Sequence, residues 1–132
     1  MPFVHRLRVR FHECDPQGVV FNAHYFAYFD VALTEMWREA FGSYGEVVDS
    51  GTDVVVAEAS ATFRAPARFD DELEIHVRAR FGRTSMTFDF AAFKVPEETL
   101  LVTAHQTLVF IERATRRPIP IPDDYREPFG VL

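Results

Sequence analysis

The chain has 132 residues, with 14 Lys and Arg against 20 Asp and Glu for a formal net charge of −6. It is too short for two ordinary domains and of the wrong sign for a phosphate-backbone binder, while 48% hydrophobic and 26% charged residues exclude a disordered chain. No apolar run reaches the roughly 18 to 20 residues that cross a bilayer, the first residues carry no signal-peptide stretch, and one cysteine, Cys14, leaves no intrachain disulfide. The sequence therefore reads as cytoplasmic, with no membrane and no nucleic-acid partner.

From Phe3 to Phe11 apolar and basic residues alternate with period two, which predicts a strand with one wet face. His12 to Gly18 breaks the period, Pro16 forcing Asp15 toward an extended backbone and Gly18 permitting a positive φ. Asn22 is read as an N-cap, and a helix is predicted over Asn22 to Phe41, stopped by Gly42 and Gly45. Apolar residues cover most of its circumference and the polar ones gather around Asp30, Thr34, Glu35, Arg38 and Glu39, so other structure must surround it. Four strands are predicted after it: Asp53 to Arg64, Glu72 to Phe81, Ser85 to Val95 and Leu100 to Glu112. Gly82-Arg83-Thr84 and Pro96-Glu97-Glu98-Thr99 are short enough to join the last three as an antiparallel meander. Pro118, Pro120, Pro122 and Pro128 end the sheet. The plan is α+β: a five-stranded antiparallel sheet wrapped round one long central helix.

Chemistry concentrates ahead of the helix. Asp15 is a carboxylate beside the free N–H groups of a first helical turn, a combination that can activate water or attack a carbonyl and then meet the oxyanion. Asp before Pro also caps turns, and spacing alone does not separate the two roles. Cys14 has no Cys-His-Asn arrangement around it and reads as packing. A serine-hydrolase elbow, a zinc-protease helix, a Walker A loop and a dinucleotide turn are all missing, so neither metal nor cofactor is expected. Arg116 and Arg117 are candidate phosphate contacts on charge alone.

The run Asp15-Pro16-Gln17-Gly18-Val19-Val20-Phe21-Asn22-Ala23-His24-Tyr25, followed by Thr34-Glu35-Met36, resembles the signature of the hotdog-fold acyl-CoA thioesterases of the 4-hydroxybenzoyl-CoA thioesterase type. So do Phe63-Arg64-Ala65-Pro66-Ala67 before Asp70-Asp71-Glu72-Leu73, the turn Gly82-Arg83-Thr84-Ser85, and Ile119-Pro120-Ile121-Pro122. The resemblance implies that residues 1–132 form a single hotdog thioesterase domain hydrolysing a small-molecule acyl-CoA, with an aromatic or short to medium acyl group. It implies Asp15 as nucleophile or general base and the backbone N–H of Asn22 as oxyanion donor. Gly18 and Tyr25 belong to the same arrangement, and Tyr25, Phe26 or Phe29 would line the acyl pocket. Arg83, Thr84 and Ser85 align with a turn that contacts coenzyme A in relatives, although one of that turn's several basic residues is kept. The apolar helix and the exposed edges of a five-stranded sheet predict an obligate homodimer, paired again as a homotetramer, and relatives close such edges by joining sheets and build each site from two subunits. Two alternatives share the fold: an enoyl thioester hydratase or dehydratase using His24 and Glu35, and a non-catalytic acyl-CoA binding module.

Overall fold

The computed structural model describes residues 2–42, 52–123 and 125–126. Five strands, β1 (Phe3–Arg8), β2 (Thr52–Phe63), β3 (Glu72–Phe81), β4 (Ser85–Val95) and β5 (Thr99–Glu112), form one antiparallel sheet in the order β1-β3-β4-β5-β2, and the helix α1 (Asn22–Phe41) packs on its inner face. β3, β4 and β5 are the expected meander, with tight pairing such as Phe81↔Met86 across the Gly82 to Thr84 turn. This is the hotdog arrangement.

The helix buries Tyr25, Tyr28, Phe29, Ala32, Leu33, Met36 and Trp37, a stripe at intervals of three and four residues. It lies on the alternate inward residues of the sheet, among them Ile75, Val77, Phe88 and Phe110. The opposite side of the helix is not covered within one chain: Phe26 is 37% exposed and Val31 47%. Complete enclosure of the helix, expected from its composition, is therefore not reached by this chain alone.

Two local details differ from the sequence expectation. β1 ends at Arg8 rather than Phe11, because after one further pairing, Val9 with Asp70 and Asp71, the chain turns into a 3₁₀ segment (Phe11–Glu13). The residue that caps α1 is Phe21, which makes no side-chain cap; Asn22 is the first helical residue. Phe21 is held there because its N–H donates to the Glu13 carbonyl at 3.0 Å. At the far end Gly42 takes φ +76°, the left-handed conformation that ends helices and suits glycine. Gly45 and Pro128 lie outside the described residues. Among the described residues the proline-rich tail adds no strand but lies against the sheet, Ile119 N–H donating to the Phe110 carbonyl at 2.9 Å.

Candidate active site

The loop before α1 is a small hairpin. Cys14 and Val20 pair antiparallel, Asp15 N–H donates to the Val19 carbonyl at 2.8 Å, and Gly18 N–H closes the tip by donating to the Asp15 carbonyl at 2.9 Å. Gly18 has φ +80°, while a Cβ built there meets nothing within 4 Å. The glycine is required by the backbone conformation, not by space. On the outer side the hairpin pairs with the segment after β2, Val20 N–H donating to the Ala67 carbonyl at 2.8 Å and Val19 bridging Arg68.

These bonds bring two distant parts of the chain to one open cleft of about 480 Å³. One wall is Asp15, Val19, Phe21, Asn22 and Tyr25; the other is residues 63–66, from Phe63 to Pro66. Asp15 is half-buried, and its Oδ1 accepts the Gln17 N–H at 2.8 Å. The turn-capping reading of Asp15 is therefore real, yet it occupies one carboxylate oxygen; among the described residues Oδ2 accepts no hydrogen bond. On the same wall no backbone hydrogen bond among the described residues uses the Asn22 N–H, as expected for the first turn of a helix. The cleft thus combines a carboxylate oxygen with a free donor at the positive end of a helix dipole.

Tyr25 forms the inner wall, its ring 5.7 Å from that of Phe63. Its hydroxyl is buried without a full hydrogen bond; the Ala67 backbone lies close enough to favour the phenolate, but burial dominates and pushes the phenol up to about 12. Tyr25 is accordingly neutral and not a base. Phe29, expected in the acyl pocket, is 1% exposed and stacks on Phe90 with centroids 4.8 Å apart, in the core behind the cleft. Phe26 faces outward.

The remaining sequence candidates are dispersed. Arg83 and Thr84 lie in the β3–β4 turn and Ser85 opens β4, beside the C-terminal end of α1, where Ile121 N–H donates to the Arg83 carbonyl at 2.9 Å and Tyr125 packs on Trp37. β3 alone spans about 30 Å, so this turn and Asp15 sit at opposite ends of the sheet in one chain. Arg116 lies 4.0 Å from Asp53. His24 packs edge-on to Phe21, whereas Glu35 is paired with Arg38, and about 16 Å of helix axis separates them. They do not face each other across a substrate in one chain. Cys14 Sγ rests 3.9 Å from the Arg10 carbonyl. Among the described residues no three His, Cys, Asp or Glu side chains converge as metal ligands.

Two features were missed at the sequence level. The second wall includes Arg64, exposed, with Nη2 3.4 Å from Thr103 Oγ1. The other is Glu13, buried at 7% exposure behind the hairpin. Its Oε1 accepts the Arg10 N–H and the Tyr28 hydroxyl, each at 2.8 Å, and its Oε2 accepts Arg10 Nη1 at 3.0 Å. Burial works to raise the Glu13 pKa, but the bonds from Arg10 and Tyr28 and the charges of Arg10 and His12 outweigh it, and the carboxyl is held below its usual range. Burial and the neighbouring carboxylate push Tyr28 well above the usual phenol range, so its proton stays in the bond.

A sheet wrapped on a helix, with an acid and a free amide at the helix start, is the framework of a hotdog thioester hydrolase. The sequence pattern of the thioesterase-like superfamily matches residues 9–129, and the chain belongs to that superfamily. The acyl-CoA thioester hydrolase YbgC of Escherichia coli is 32% identical over 117 residues, which cover 88% of this chain and 87% of that protein. The crystal structure of an Aquifex aeolicus protein superposes with a TM-score of 0.88 at 30% identity, over 97% of this chain and 99% of the other. A 1,4-dihydroxy-2-naphthoyl-CoA thioesterase from Synechocystis gives a TM-score of 0.92 over 100% of this chain and 98% of its own, and at 20% identity shows the shared fold.

Proposed function

We propose that the protein hydrolyses small-molecule acyl-CoA thioesters with an aromatic or short to medium acyl group, giving free acid and coenzyme A, and that Asp15 and the Asn22 N–H are its catalytic groups. The observation that carries this reading is the shared cleft: a carboxylate oxygen and a helix N-terminal amide, neither hydrogen-bonded among the described residues, lie on one wall. The naming of YbgC as an acyl-CoA thioester hydrolase supports the substrate class. In the general-base route Asp15 takes a proton from water, the hydroxide adds to the thioester carbonyl, and the Asn22 N–H meets the oxyanion. Collapse expels the thiolate, which recovers the proton. In the nucleophilic route Asp15 displaces the thiolate directly and water opens the resulting anhydride. Tyr25 and the turn at Gly18 shape the substrate-binding wall in either case.

The active form in this reading is a cytoplasmic homodimer, paired again as a homotetramer. β2 is an edge strand with Val56 57% and Phe63 45% exposed, and α1 leaves Phe26 and Val31 uncovered beside it, the kind of surface that a second copy closes. Such pairing also supports the role of Arg83, Thr84 and Ser85: the turn is remote from its own cleft and reaches coenzyme A bound at the cleft of another copy. Free-thiol release over a panel of aryl-CoA, short and medium acyl-CoA and acyl-carrier-protein thioesters tests the activity. Turnover of the CoA esters is expected; binding without turnover of any of them would favour the acyl-CoA binding module. Light scattering that gave a fully active 15.2 kDa monomer would contradict the assembly.

A further inference from the structure

Glu13 is the one charged side chain that is buried among the described residues, and its position explains why. It stands at the base of the hairpin whose tip is Asp15. Its carbonyl takes the Phe21 N–H at 3.0 Å, which ties the two hairpin strands together at the residue just before Asn22. Its carboxylate takes the Tyr28 hydroxyl from the second turn of α1 and the N–H and guanidinium of Arg10 from the chain leaving β1. One residue thus joins the outgoing strand, the hairpin and the helix body. A buried carboxylate costs free energy that a neutral packing residue would not. Three donors in fixed directions give in return a single geometry, which apolar contacts alone do not impose.

We propose that Glu13, fastened by Tyr28 and Arg10, is a positioning residue that sets the separation between the Asp15 carboxylate and the Asn22 N–H. Asp15 is fixed from one side by the hairpin tip, and Asn22 is fixed by the helix; the two belong to different elements. The backbone path between them leaves through Pro16, Gln17 and Gly18, which are all exposed, and returns through Val19, Val20 and Phe21. The bond across the hairpin base from Phe21 to Glu13, together with the Tyr28 latch, is what makes hairpin and helix one body. Glu13 itself is absent from the cleft wall and touches no substrate there. Its effect is on orientation, and it belongs in kcat rather than in substrate affinity.

The inference rests on the reading of Asp15 and Asn22 given above, and the test separates the two. The full-length protein is compared with Tyr28→Phe, Glu13→Gln, the double variant and Asp15→Asn, measuring kcat, KM, thermal melting, and hydrogen exchange at the Asp15 and Phe21 amides. Tyr28→Phe removes one hydroxyl and keeps the ring in the core. It is expected to lower kcat about tenfold with KM within about twofold, and to speed exchange at Asp15 and Phe21 relative to the central strands. Glu13→Gln should do the same, and the double variant should be no worse than the weaker single one, because both changes open the same latch. If Glu13→Gln does not fold, Tyr28→Phe alone decides. Wild-type kcat and exchange in a folded Tyr28→Phe would overturn the inference, as would a loss of kcat/KM carried wholly by KM. An inactive Asp15→Asn beside an unaffected Tyr28→Phe refutes this inference alone. A fully active Asp15→Asn refutes the reading of the site and the inference with it.

Discussion

Asp15→Asn is the sharpest perturbation of the proposed mechanism, because the structure separates its chemical cost from its structural cost. Asn keeps an oxygen acceptor for the Gln17 N–H, now 2.8 Å from Asp15 Oδ1, and the bonds that close the hairpin tip at Val19 and Gly18 are made by backbone atoms. Stability should therefore change by less than about 1 kcal/mol. The amide can neither accept a proton from water nor attack a thioester. Losing a positioned general base costs about 10²- to 10⁴-fold, equivalent to roughly 3 to 5 kcal/mol of transition-state stabilisation. Free-thiol release under saturating acyl-CoA should show that fall in kcat, while melting followed by circular dichroism stays near wild type. Asp15→Ala also loses the side-chain bond to Gln17, so it should be slightly less stable than Asn yet equally inactive. Activity of Asp15→Asn within about fivefold of wild type would refute the assignment, and activity that tracked the melting temperature across both variants would make Asp15 a turn residue only.

Cys14→Ser should leave turnover near normal, since among the described residues its sulfur is hydrogen-bonded to the Arg10 carbonyl alone; abolished turnover in a folded variant would move the nucleophile to Cys14. Phe29→Ala should cost about 3 to 5 kcal/mol in urea unfolding, as expected for a fully buried ring stacked on Phe90, with KM unchanged wherever the protein is folded; unchanged stability with a raised KM would return Phe29 to the acyl pocket. Arg83→Ala should raise KM for acyl-CoA several-fold at nearly constant kcat and have no effect on a truncated thioester lacking the nucleotide; an equal effect on both substrates would rule out a phosphate contact. Because the Glu13 carboxyl is held below its ordinary range, its contribution to stability is present above that range and is lost as pH falls through the lowered value; Glu13→Gln should flatten this acid limb in melts from about pH 6 to about pH 3, and an identical limb in both proteins would contradict it.

How far the sequence discloses this molecule depends on the range of the interactions that fix each part. The helix Asn22–Phe41 and the strands β3 and β4 are legible to the residue, since glycines, short polar turns and apolar period are local signals. The helix cap is displaced by one position because capping preferences describe side chains, whereas Phe21 is fixed by its own N–H and the Glu13 carbonyl. The 3₁₀ segment at Phe11–Glu13 is hidden by an alternation that runs on to Phe11, whereas the backbone turns after Val9, the last residue to pair. Asp15 is legible as a candidate from its neighbours, and the resemblance adds its role, but residues 63–66 lie more than forty positions away and join it only through the pairing of Val20 with Ala67, so no local pattern marks them as the second wall.

Glu13 and the outer face of α1 mark the two opposite limits of such reading. A charged residue in a loop reads as solvated, and the partner that buries this one, Tyr28, is fifteen positions on and itself reads as ordinary core. The apolar circumference of α1 is perfectly visible, yet Phe26 and Val31 remain exposed in the single chain, and only the proposed assembly would reconcile that pattern with burial. Phe63 connects these points. It lies on the free edge strand, 45% exposed, and it also forms part of the cleft wall opposite Asp15. In the proposed dimer the surface that joins two copies therefore borders the surface that receives the acyl group. A substitution at Phe63 would alter association and acyl preference together, whereas one at Glu13 or Tyr28 would alter the rate without changing either.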